Sequence, residues 1–139
     1  MRLLPLLLLL PMAACRQEEA APAAETVPDA AAAEVYASGP RDRLCLKPGE
    51  QRAGIITFAK TGDSNCSVRG SITNPQAIRP DGDTTCAILY NRDGDTLTLL
   101  TGDNSCAYYC GPGASLEGKT FVRMDNPMPV TDIAGDPLC

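Results

Sequence analysis

Residues 82–106 read GDTTCAILYNRDGDTLTLLTGDNSC, and this stretch decides the fold. Cys86–Tyr90 is apolar throughout, and Thr96–Leu100 alternates at its start. Between them lies Asn91-Arg92-Asp93-Gly94-Asp95, whose Asp-Gly suits a tight type I′ hairpin turn. The hairpin is bracketed by two copies of Gly-Asp-x-x-Cys, GDTTC at 82–86 and GDNSC at 102–106. Two more copies occur, GDSNC at 62–66 and GDPLC at 135–139. Glycine tolerates positive φ, and aspartate bonds its neighbouring backbone, so each copy reads as a turn. The cysteine then opens the next strand.

Working outward, Ala53–Ala59 is β-branched and apolar, and Ser67–Thr73 places Val68 and Ile72 on one face. Strands at about ten-residue intervals with polar turns describe an antiparallel meander. The expected fold is all-β: a small antiparallel meander closing into a barrel or sandwich, stapled by disulfides, over residues 41–139. The tail from Asn126 to Cys139 is rich in proline, aspartate and glycine and reads as irregular chain pinned at its end.

The chain has seven cysteines. Setting Cys15 aside leaves Cys45, Cys66, Cys86, Cys106, Cys110 and Cys139, an even set that reads as three disulfides in an exported domain. Fifteen pairings are open to six cysteines, and sequence does not choose among them. Cys45 and Cys139 stand near the two ends of the domain, so tying both ends would prevent fraying. With no tryptophan and two phenylalanines, the core is small and gains from such staples.

Composition excludes several chemistries. The chain has no histidine, which removes Ser-His-Asp and Cys-His catalysis and imidazole zinc sites. Its net charge of −5 disfavours nucleic acid. Asp81-Gly82-Asp83 and Asp93-Gly94-Asp95 echo calcium loops but lack the glutamate that closes an EF-hand, so no metal is expected. Residues 113–120, GASLEGKT, match the phosphate-loop string. Pro127 and Pro129 soon follow and forbid the helix that such a loop needs. No cofactor is expected; the serines lack a histidine base, and Lys60 and Lys119 stand in no Ser-x-x-Lys motif, so the chain reads as a non-enzyme.

The segment CAYYCGPG at 106–113 is the least generic part of the domain. If it runs as a strand, Tyr108 and Tyr109 point to opposite faces, one into the core and one outward. Asp63, Asp83 and Asp103 repeat in the turns and would share one edge. These three aspartates and the two tyrosines are the candidate partner contacts.

Residues 16–40 contain nine alanines and recurring prolines without apolar periodicity, and read as a flexible tether. Asp29 to Ala37 has the makings of a short helix, capped by Asp29 and stopped by Ser38-Gly39-Pro40. Ahead of the tether, MRLLPLLLLLPMAAC places one arginine and a leucine run before small residues and Cys15. The run is about half of the roughly 20 residues that a membrane-spanning helix needs. It has the layout of a signal peptide, residues 1–14. Met12-Ala13-Ala14-Cys15 resembles the bacterial lipobox, with methionine where leucine is usual. The resemblance implies cleavage before Cys15, its lipidation, and anchorage in the bacterial envelope. Arg16 in place of aspartate points to the outer membrane, facing the periplasm or the exterior.

Location, size, short strands and disulfides together resemble, loosely, the small envelope β-barrel inhibitors of lysozymes and metalloproteases. Two roles are therefore expected: a structural or interaction module of the envelope, or an inhibitor of a basic secreted protein such as lysozyme or of a protease. The acidic charge favours a basic partner.

Overall fold

The computed structural model describes residues 32–73, 76–100 and 104–139. Eight strands follow one another: β1 Glu34–Ser38, β2 Asp42–Lys47, β3 Arg52–Phe58, β4 Asn65–Thr73, β5 Ala77–Pro80, β6 Ile88–Asp93, β7 Thr96–Leu100 and β8 Thr120–Arg123. Each pairs antiparallel with the next, and β8 pairs back onto β1 through Tyr36↔Arg123 and Ala37↔Val122. The sheet is a closed up-and-down barrel, which leaves no edge strand exposed.

Alternation supplies the interior. Leu44 and Leu46, Ala53 and Ile55, Leu97 and Leu99 are spaced by two and point inward, where they meet Tyr36, Val68, Ile78, Ile88 and Phe121. Eight strands enclose a lumen just wide enough for such side chains to fill. A second, smaller core lies outside the wall. Val35, Cys45 and Ile56 are covered by Val130 and Leu138 from the C-terminal tail. Leu138 rests directly on Gly54, where a Cβ would come within 2.5 Å of the leucine's own Cβ. The Cys45–Cys139 disulfide fixes the tail there. The irregular tail is thus a packed cover for β1–β3.

The structure corrects several expectations. The barrel begins at Glu34, inside the stretch read as tether, because Glu34–Ser38 pairs with Asp42–Leu46. Residues 34–37 therefore form strand, not helix; Val35 packs on the outer core and Tyr36 on the inner one. Tertiary burial outweighs alanine's local helix preference. The rest of that helix, with Cys15 and the leader, lies outside the described residues. Strands β2, β5 and β8 also fall outside the stretches read as strand; β5, Ala77–Pro80, is short and ends in proline.

The β6–β7 turn shifts by one residue. Asp93 pairs with Thr96, leaving Gly94-Asp95 as the loop. Only Gly94 has positive φ there, at 58°, which is the II′ requirement rather than I′. Cys66 lies within a strand, but Cys86, Cys106 and Cys139 do not. Residues 104–109 form a 3-10 helix instead of a strand.

Candidate functional site

In an up-and-down barrel every second connection lies at the same end. The first two Gly-Asp-x-x-Cys motifs fall at the β3–β4 and β5–β6 connections, and Cys106 of the third lies between β7 and β8, so these gather at one end of the barrel. Glycine does what the motif requires at 62, 82 and 135, with φ of 77°, 76° and 91°. The cysteines then close that end. Cys86 of the β5–β6 connection bonds Cys106, and Cys66 at the start of β4 bonds Cys110, so the 3-10 helix Asn104–Tyr109 is tied on both sides. The helix and the chain after it form a lid. Gly111 N donates to Asn65 O at 2.8 Å, and buried Leu116 fills the core below. Thr57 Oγ1 donates to Ser115 O at 3.1 Å.

Within the lid the two tyrosines divide their roles. Tyr109 is half-buried against the core, and its hydroxyl donates to Asp83 Oδ2 at 2.7 Å. Asp83 Oδ1 accepts from Thr85 N, Thr85 Oγ1 and Cys86 N at 2.7, 2.8 and 3.1 Å. The Tyr109 hydrogen bond, followed by these, holds the Asp83 carboxyl well below the usual carboxylate range. Burial and the adjoining carboxylate push the Tyr109 phenol up to about 12. Tyr108 is 89% exposed and meets the Tyr109 ring edge-on, with centroids 5.3 Å apart. The expectation of one tyrosine inward and one outward is met, though on a 3-10 helix.

The aspartates do not form one free acidic edge. Asp83 is fully engaged inside the lid. Asp63 is exposed but pairs with Arg41 at 3.0 Å, and Arg41 also stacks over Phe58 at 4.1 Å. Asp103 lies outside the described residues. Lys119 of the phosphate-loop string reaches Asp42 at 2.6 Å, and Asp42 also accepts from Phe58 N at 2.8 Å. The string leads into strand β8, so it lacks the helix on which phosphate binding depends. Among the described residues no group of three cysteine, aspartate or glutamate side chains could hold a metal ion.

The opposite end is closed by a polar cluster not anticipated from the sequence. Glu34 accepts from Tyr36 Oη and lies 2.9 Å from the Arg92 guanidinium, with Arg123 at 3.8 Å. Burial raises the Glu34 carboxyl, but the bonds from Arg92 and Tyr36 and the nearby positive charge outweigh it, and it sits below its ordinary value. Burial and Glu34 push the Tyr36 phenol up to about 12. The signal was the Glu34-x-Tyr36 spacing, which puts both on one strand face. A groove of about 350 Å³ opens beside it, lined in part by Ala33, Arg123, Met124 and Pro127. Compared with known protein families, curated proteins and solved structures, the chain matches none.

Proposed function

We propose that this protein is an envelope interaction module, lipid-anchored at Cys15, that contacts a protein partner through its disulfide-pinned lid. One observation carries the reading: Tyr108 is 89% exposed on a segment held at both ends by disulfides. An exposed aromatic ring normally loses little entropy on binding, and here the backbone beneath it is already fixed. The Tyr109–Asp83 hydrogen bond orients the lid from below. Asp83 therefore supports the contact surface rather than forming it. Asp63 at the same end supplies charge next to Arg41, a mixed pair rather than an acidic patch.

Site-specific photocrosslinking tests this in intact cells. A crosslinker at position 108 is expected to give one discrete adduct, while the same group at exposed Asn91 on the barrel wall gives none. Equal labelling from both positions, or none from the lid, overturns the reading. An inhibitory role is decided alongside it by titrating lysozymes and secreted proteases with the oxidised protein. Stoichiometric inhibition that Tyr108→Ser abolishes would make the partner an enzyme.

A further inference from the structure

The outer wall of β3–β5 carries a charge opposite to that of the chain. Arg52 on β3 lies opposite Ser71 on β4, and Ser71 lies opposite Arg79 on β5. These three residues form one row. Strand spacing separates Arg52 from Arg79 by roughly 10 Å. Arg69 stands two positions before Ser71 and shares its outward face. Asp81 binds Arg52 through both oxygens at 2.8 Å and also lies within electrostatic reach of Arg69, and Glu50 acts on Arg52 from the β2–β3 connection. Arg69 donates to Pro137 O, and Arg79 donates to Thr84 O at 3.2 Å. Both acceptors are neutral carbonyls, so they position the two exposed guanidiniums without cancelling their charge. The half-exposed hydroxyls of Ser67 and Ser71 lie beside them on β4. The chain's net charge is −5, so composition does not explain a basic wall. Strand β7, Thr96–Leu100, carries no charge at all.

We propose that the Arg52–Ser71–Arg79 row, with Arg69, docks the barrel sideways on an anionic bilayer by binding lipid phosphates. Arginine suits this task because its planar fork binds phosphate oxygens in pairs. Arg69 and Arg79 present two such forks beside the Ser71 hydroxyl, and Arg52, whose fork Asp81 occupies, borders them. Several cations on one face act together at a charged surface, where each contributes separately. This proposal rests on the envelope placement proposed above. Residues 16–33 between the anchor and β1 reach at most about 60 Å, so the wall always stays near the membrane.

The test uses the exported chain carrying Cys15→Ser, so that no acyl chain contributes. Vesicles of phosphatidylglycerol and phosphatidylethanolamine are compared with vesicles of phosphatidylcholine. Binding is expected to the first alone, and to fall as salt is added. Each Arg→Gln change is expected to weaken it roughly fivefold, and R52Q/R69Q/R79Q together about a hundredfold. Asp81→Asn, which frees Arg52, is expected to strengthen binding, and keeps the test decisive should the triple variant fail to fold. Equal binding to phosphatidylcholine, or indifference to the substitutions of a folded variant, overturns the proposal. So does equally tight binding to soluble polyglutamate, which would mark an acidic protein partner instead. Labelled fatty acid incorporation at Cys15 in cells reports separately on the anchor, so failure of anchoring and failure of this face are distinguishable.

Discussion

Tyr109 and Asp83 show how two residues set the lid. The phenol raised to about 12 is protonated in the folded protein at pH values where a free tyrosine has ionised. The folded state then holds more protons than the unfolded one, so stability falls as pH rises from about 10 toward 12. Asp83 acts in the opposite sense. Its lowered carboxyl adds stability above the unfolded value near 4, lost as pH drops below it. Phenolate absorbance checks the alkaline limb: Tyr36 and Tyr109 are expected to titrate near 12. Asp83→Asn is expected to return Tyr109 toward 10 while leaving Tyr36 in place. Ser64 gives a second test. Its hydroxyl is buried without a hydrogen-bond partner and lies where a Cβ on Gly111 would come within 2.5 Å of it. Ser64→Ala is therefore expected to keep or raise the thermal midpoint, by up to about 1 kcal/mol in stability, because it removes an unpaired polar atom. In the sequence, Tyr108 and Tyr109 split on the premise of a strand, whereas a 3-10 helix separates them. The partner of Tyr109 was not legible there, since Asp83 is 26 residues away and meets it only once the barrel has closed.

The hairpins were the most legible elements, because alternation and Gly-Asp turns are local. The β6–β7 register was off by one in the turn because Asp-Gly and Gly-Asp overlap in Asp93-Gly94-Asp95, and strand pairing chose the second. Strand β1 was hidden by the alanine run before it, at 30–33. Only the wall formed by β2 and β8 makes it a strand, and no local signal reports that wall. The disulfides sort by what they close. Cys86–Cys106 spans 20 residues, and replacing both with serine is expected to cost about 3 kcal/mol. Cys45–Cys139 spans 94 residues, and its loss is expected to cost about 4–5 kcal/mol. Urea unfolding of the two paired variants compares them. Losing the first is expected to speed amide exchange in the lid, and losing the second in the tail. Gly54→Val is expected to lift Leu138 and lower the thermal midpoint, since the added carbons meet Leu138 side chain and backbone.

The whole molecule is a barrel closed at both ends and covered on one side. One end is capped by the disulfide-bound lid, the other by Glu34 with Arg92, Arg123 and Tyr36. The tail covers β1–β3, and the arginine wall lies on β3–β5. The lid, the tail cover and the arginine wall thus occupy different faces of one barrel. Sequence reached the fold class because alternation and turn chemistry are written residue by residue. It left the cysteine pairing open, because pairing depends on which connections share an end of the barrel. The pairing therefore tests the account most directly. A peptide map of the oxidised protein under non-reducing conditions is expected to yield Cys45–Cys139, Cys66–Cys110 and Cys86–Cys106. Recovery of Cys106–Cys110, or of any link that leaves the lid tied at one end only, would contradict it.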